Sequence, residues 1–243
     1  MMLDIARTIV ASLIIAAPAS APLASGTLQK LSPPEVLSAA AVRGKSLLSE
    51  LNNYTYYAEL TIQSVSQSDT ITGKYYRFSQ ISFDRAGNRQ EKVLENTSSL
   101  PDDIYIGTRT ADNLTRIYQF IITPDILTQY DLNYVGRERI DELDTLVFDI
   151  QPKPKLPDKG PERFLKGRLW IDEQDLCVVK VAGQALPAPN AQRTPTFETY
   201  FQNYGNYWFP ASASADESIR AGRYFIHAVV SMRFTGYKKV GAK

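Results

Sequence analysis

The stretch Tyr224-Phe225-Ile226-His227-Ala228-Val229-Val230-Ser231-Met232-Arg233-Phe234-Thr235 decides the fold class. Tyr224, Ile226, Ala228, Val230, Met232 and Phe234 fall on one side. Phe225, His227, Val229, Ser231, Arg233 and Thr235 fall on the other, less apolar side. A period of two is that of an extended strand, and one apolar face is that of a strand half-buried in an antiparallel sheet. Moving towards the N-terminus, Tyr207, Phe209, Ala211 and Ala213 repeat the pattern behind a Gly205-Asn206 turn, after a strand over Thr196 to Tyr204. Further back come Cys177, Val179 and Val181, the turn Asp172 to Asp175, and Leu165, Leu169 and Ile171. Leu146, Phe148 and Ile150 precede them, and Tyr130, Leu132 and Tyr134 come first. Regular strands joined by short turns predict an antiparallel sheet or barrel.

The first half adds strands and two helices. Ser32-Pro33-Pro34-Glu35 is a capping-box pattern with proline at the first helical position. Leu37, Ala40, Ala41, Gly44, Leu47, Leu48 and Leu51 follow at helical spacing, so a helix is expected from Pro33 to Leu51. Tyr54, Tyr56, Ala58, Leu60 and Ile62 then form one face of a strand. A second strand is expected over Gly73 to Phe83, where alternation is poor, and a third over Asn88 to Glu95. Leu114, Ile117, Tyr118 and Ile121 lie at i, i+3, i+4 and i+7, which predicts a second helix over Ala111 to Ile122, ended by Pro124. Arg7, the apolar run Ile9 to Ala17 and the small residues after it have the layout of a secretory signal peptide. The run is shorter than the roughly 20 residues a membrane helix needs. Residues 1–26 are therefore expected to be a signal peptide, and residues 27–243 a single domain in the periplasm.

Composition is that of a folded protein, with 44% apolar and 22% charged residues. A formal net charge of +1 provides no field to attract nucleic acid. Cys177 is the only cysteine, so no internal disulfide forms, and it reads as a small hydrophobe within a strand. His227 is the only histidine. With one histidine and one cysteine the usual zinc ligand set cannot be filled, and no G-x-S-x-G elbow is present. Asp172-Glu173-Gln174-Asp175 and Asp141-Glu142-Leu143-Asp144 lack the glycine and glutamate of a calcium loop and read as solvated turns. Neither a catalytic group, a metal nor a cofactor is expected.

Three blocks carry a family likeness: Arg163-Phe164-Leu165-Lys166-Gly167-Arg168-Leu169-Trp170-Ile171-Asp172, Val178-Val179-Lys180-Val181-Ala182-Gly183, and Tyr204-Gly205-Asn206-Tyr207-Trp208-Phe209-Pro210-Ala211-Ser212. In order and spacing they resemble the bacterial outer-membrane lipoprotein-sorting family, relatives of the periplasmic lipoprotein carrier LolA. Tyr134 to Glu138 and Phe148 to Lys153 fit as well, and the likeness extends over about Tyr130 to Tyr237. It implies an α+β, mainly β fold of the LolA/LolB type: a strongly curved antiparallel sheet, an incomplete barrel, with helices covering its mouth. It also implies a cavity for acyl chains between sheet and helices. LolA-type carriers lock the helical lid with an arginine on the sheet; no motif places that arginine here.

Alternation alone leaves open whether such an interior is filled or hollow. The expected function is that of a periplasmic carrier or chaperone binding the acyl chains of a lipoprotein or lipid. The alternative is a lipid-sensing or protein-interaction module of the same fold without transfer. The expected wall comprises Leu60, Ile62, Leu146, Phe148, Ile150, Leu169, Ile171, Val179, Phe209, Ile226 and Phe234, and the expected lid Leu114, Ile117, Tyr118 and Ile121. The expected partners are the cargo and a membrane-bound donor or acceptor protein, with no nucleic acid.

Overall fold

A computed structural model describes residues 31–117, 120–154, 164–186 and 196–240. The expected signal peptide, residues 1–26, lies outside them. Residues from Leu31 onward cluster as one compact unit.

Helix α1, Pro33–Leu51, starts where the capping pattern puts it. The Glu35 carboxylate accepts from both the Ser32 N–H, at 2.8 Å, and the Ser32 hydroxyl, at 2.6 Å. Its buried face is Val36, Ala40, Ala41, Gly44, Leu47 and Leu51. Leu48, expected on that stripe, is exposed, and Val36 is buried instead.

Ten strands follow among the described residues: β1 Tyr54–Val65, β2 Ile71–Phe83, β3 Arg89–Ser98, β4 Tyr130–Ile140, β5 Leu143–Pro152, β6 Phe164–Asp172, β7 Val178–Leu186, β8 Thr196–Tyr204, β9 Tyr207–Ala221 and β10 Tyr224–Lys239. They form one antiparallel sheet in the order β3-β2-β1-β10-β9-β8-β7-β6-β5-β4, which does not close. Strands β4 to β10 form a meander, and the first three are added beside β10. The two edges are thus β3 and β4, which are consecutive in sequence. Residues 99–129 connect them, and their buried side chains Leu100, Ile106, Ala111, Leu114, Ile121 and Ile122 join the core on the inner face.

The sheet is curved. Tyr75 and Ile81 of β2 belong to the same buried cluster as Tyr130 of β4 and Ile150 of β5, though six strands lie between β2 and β5. One inward row crosses the sheet in register: Arg77, Leu60, Met232, Ala213, Thr199, Val181, Leu169 and Phe148. One bend is built from Gly167 and Gly183, which face each other across β6 and β7. A Cβ on Gly167 would lie 2.0 Å from the Ala182 carbonyl oxygen, and one on Gly183 would lie 2.3 Å from that of Lys166. Only glycine permits that approach, and glycine in a strand often marks such a corner.

Two expectations need correction here. Val179 does not face the interior. A register shift between Trp170 and Ile171 sets Ile171 opposite Val178, so Val179 packs with Val147 and Trp170 in a separate cluster while Val181 stays inside. A β-bulge reverses alternation locally in this way. Cys177 precedes β7 instead of alternating within it.

The second helix is shorter than its periodicity suggests. Helix α2 is Thr108–Ile117, and helix α3 is Pro124–Leu127. Residues 120–123 between them are not helical. Ile121, Ile122 and Thr123 are β-branched, and Thr123, ahead of Pro124, is extended (φ −132°, ψ 164°) and caps α3 by accepting the Ile126 N–H at 3.3 Å. Ile121 therefore lies on an extended segment, not on the lid helix. Tyr118 and the side chain of Ile117 lie outside the described residues.

Candidate functional site

The interior is bounded by the inner face of the sheet and by a cover made of α1, α2, α3 and the segments joining α2 to its neighbours. Leu60, Ile62, Ile150, Leu169, Phe209 and Phe234 are buried there in the main cluster, with Ile226 partly buried against it. Leu114 and Ile121 enter the same cluster from the cover. Leu146, Phe148 and Ile171 form a separate group with Val36 and Ala40, beneath the start of α1 rather than α2. Of the expected wall, Val179 alone is turned away.

Tyrosines and phenylalanines fill one part of this interior. Tyr237 lies 4.8 Å from Tyr56 and 4.8 Å from Phe209, ring centre to ring centre, and Tyr54 meets Phe209 at 4.9 Å. The Tyr237 hydroxyl donates to the Pro210 carbonyl at 2.7 Å. Burial, with Tyr56 and Tyr204 beside it, holds that hydroxyl protonated far above the ordinary tyrosine range.

Elsewhere the sheet offers small inward residues: Ala213 and Ala215 on β9, Ala228 on β10, and Ser64 on β1. Ala213, Ala215 and Ala228 share one buried cluster with Leu114, Ile121 and Ile122 of the cover. A cavity of about 20 Å³ remains, lined by Gly44, Leu47, Ile121, Ile122, Val178, Trp208 and their neighbours. That is room for about one water. It lies between α1 and the β8–β9 turn, not beneath α2. Leu114, Ile121 and Ile122 of the cover pack into the same buried cluster as the inner face of the sheet.

The cover is held by identifiable fastenings. Gly44 brings α1 against the backbone of Ile122, where a Cβ would come within 1.9 Å of the carbonyl oxygen. The Thr110 hydroxyl donates to the Arg220 carbonyl at 3.2 Å. Tyr105 lies over Gly222 in the β9–β10 turn, where a Cβ would fall 2.6 Å from its ring. The Trp208 indole donates to the Asp175 carboxylate at 2.9 Å and ties the β8–β9 turn to the β6–β7 turn.

One fastening is ionic. Arg77 stands at an inward position of β2, between the inward Tyr75 and Ser79. Its Nη2 lies 2.8 Å from Glu91 Oε1 on β3 and 3.5 Å from Asp112 Oδ1 on α2. Glu91 Oε2 accepts from Arg89 Nη1 at 2.9 Å. Burial alone would push the Glu91 carboxyl up, but Ser79, Arg89 and Arg77 together hold it below its ordinary range. The sequence reading missed this group. Its signal was the poor alternation of β2, since two inward positions there, Arg77 and Ser79, are polar.

Other chemistry-bearing residues are dispersed. His227 Nε2 pairs with Asp216 Oδ1 at 2.5 Å between β10 and β9. The Cys177 thiol borders the small cavity, and burial pushes it up to about 11. Among the described residues, no three His, Cys, Asp or Glu side chains are grouped to hold a metal ion. No helix among them is long and apolar enough to cross a membrane.

No protein-family profile and no curated sequence matches the chain. Solved structures do. A DUF1329 family protein from Desulfovibrio piger is 11% identical with a TM-score of 0.39, over 82% of this chain and 93% of its own. A putative outer membrane lipoprotein-sorting protein domain from Vibrio parahaemolyticus is 10% identical with a TM-score of 0.41, over 85% and 93%. A LolA superfamily protein from Nitrosomonas europaea is 12% identical with a TM-score of 0.36, over 84% and 96%. The family whose likeness was read from Tyr130 to Tyr237 is thus among the structures this chain is similar to.

Proposed function

We propose that the chain is an exported, periplasmic carrier or chaperone that takes the acyl chains of a lipoprotein or lipid between the sheet and the cover. The observation that carries this reading is Arg77. A core built for stability alone has little use for a guanidinium on its inward face, because taking a charge out of water is costly and an apolar residue of similar size often serves as well. A charged clasp between sheet and α2 is useful if α2 must leave and return. When it leaves, Leu114 withdraws from the buried cluster it shares with Ala213, Ala215 and Ala228, and an acyl chain takes its place. The exchange makes no covalent bond; it trades one apolar filling for another at about 0.8 kcal/mol per buried CH₂. Cargo would pass to or from a membrane-bound donor or acceptor protein, and no step requires a cofactor or a catalytic group.

A second reading, a lipid-sensing or protein-interaction module without transfer, is favoured by Leu114, Ile121 and Ile122 of the cover, which already pack into the buried cluster of the sheet. Titration with a fluorescent fatty acid separates the two. The carrier reading expects saturable binding, weakened by Ile121→Asp with the circular dichroism of the sheet unchanged, because the substitution puts a charge into the apolar interior. Absence of binding by the wild type would leave the interaction module. Export is tested separately: peptide mapping from the native host is expected to place the mature N-terminus between about Ser20 and Thr27.

A further inference from the structure

The charges around Arg77 do not balance within the sheet. Arg77 and Arg89 are two cations, and Glu91 is the one carboxylate that bridges them, 2.8 Å from the first and 2.9 Å from the second. These three side chains are 8%, 16% and 14% exposed. The remaining counter-charge among the described ion pairs is Asp112, which belongs to the cover and is 37% exposed. Hydrogen bonding is also incomplete. Arg77 Nε, Arg89 Nε and Arg89 Nη2 are buried without an acceptor. Each guanidinium carries five N–H donors in a planar fork, and a buried donor without a partner is unfavourable. If α2 lifts, Asp112 leaves with it. The inner face then keeps one uncompensated positive charge and several directed donors.

We propose that Arg77 and Arg89 form an anion site on the inner face of the sheet, held by Asp112 when the cover is closed and by the acidic head of an acyl lipid, a carboxylate or phosphate, when it is open. The inference rests on the acyl-binding reading above and adds the chemistry of the head group. The cargo's anion and Asp112 compete for Arg77, with Arg89 beside it across Glu91, so binding the head and releasing α2 are one ion exchange. An oxygen anion presents several lone pairs to the fork and satisfies donors that Asp112, at 3.5 Å, does not reach. A neutral lipid would fill the apolar interior but leave the charge unmet.

The test compares pyrene-dodecanoic acid, its methyl ester and inorganic phosphate on the full chain. Wild type is expected to bind the acid about tenfold more tightly than the ester, the ratio of one charge-assisted hydrogen bond. Arg89→Gln is expected to remove that preference and leave the ester unchanged. Asp112→Asn, at a partly exposed position, is expected to strengthen acid binding more than ester binding. Equal binding of acid and ester by wild type, with Asp112→Asn moving both alike, would overturn the anion site and leave acyl binding standing. If neither probe binds, the acyl reading itself fails and the site fails with it. Inorganic phosphate that displaces the acid fully at equal concentration would overturn the assignment to a lipid head. The Asp112→Asn arm decides the matter even if Arg89→Gln does not fold.

Discussion

Gly44 of α1 faces the carbonyl of Ile122 so closely that a β-carbon on Gly44 would lie 1.9 Å from the oxygen. Helix and extended segment meet backbone to backbone, which seats the segment carrying Ile121 and Ile122 between α1 and the sheet. Gly44→Ala is expected to push this segment outward and cost about 1–3 kcal/mol, the range of overpacked sites. Urea unfolding measures the loss, and limited proteolysis is expected to cut first within 120–129. An unchanged midpoint and cleavage pattern would mean that the segment is not held by this contact.

The facing pair Gly167 and Gly183 gives a second prediction. Gly167→Ala places a methyl group 2.0 Å from the Ala182 carbonyl oxygen. The strands must separate or the sheet must flatten there. A loss of at least about 1–3 kcal/mol is expected. The same change at Gly205, where no atom lies within 4 Å of the added carbon, meets no contact and costs only the strain of its positive φ of 71°. Thermal melting of the two variants side by side checks the contrast.

Acid should weaken the charged group on β2 and β3. Glu91 is held below its ordinary carboxylate range in the folded chain, so folding favours its charged form. The stability it contributes is complete above the unfolded value of about 4.5 and is lost as pH falls through the lower folded value. Glu91→Gln is therefore expected to destabilise at pH 7 by a margin that shrinks as pH drops below about 4.5. Urea melts of both proteins between neutral and acid pH would show this. A margin independent of pH would assign the effect to shape instead of charge.

Cys177 should be slow to label. Burial raises its thiol from 9.0 to about 11, so very little thiolate exists near neutral pH. The rate of reaction with a maleimide is expected to climb with pH towards that value and to lie well below that of the urea-unfolded chain. The sign for stability is opposite to that of Glu91: the contribution is intact below about 9 and is lost as pH rises through about 11. Cys177→Ala is expected to cost about 1 kcal/mol.

Helix α1 was legible in its bounds and most of its stripe, Leu48 and Val36 excepted, because its capping box and stripe are local: Ser32 and Glu35 bond over three positions, and the buried residues share one face. The strands were legible for the same reason, and the alternation from Ala228 to Thr235 appears as the inward and outward sides of β10, while Tyr224 at its start is exposed. Val179 was misread because a bulge depends on how β6 and β7 pair, and period two carries no mark of it. Helix α2 was drawn too long because i, i+3, i+4 and i+7 spacing continued through Ile121, while the β-branched run before Pro124 favoured an extended chain.

The sequence by itself determined a mainly β chain with an amphipathic first helix and an inward apolar face, since these follow from periodicities of 3.6 and 2 along a continuous stretch. Only the tertiary structure decided what that face encloses. Whether a curved sheet is hollow depends on how closely distant segments approach, as Gly44 does Ile122. Tertiary structure also decided the role of Arg77. In sequence it is a charged residue that spoils the alternation of β2. In space it stands beside Glu91 and Asp112, 14 and 35 positions away along the chain, because β3 pairs with β2 and the connection after β3 carries α2 over the inner face.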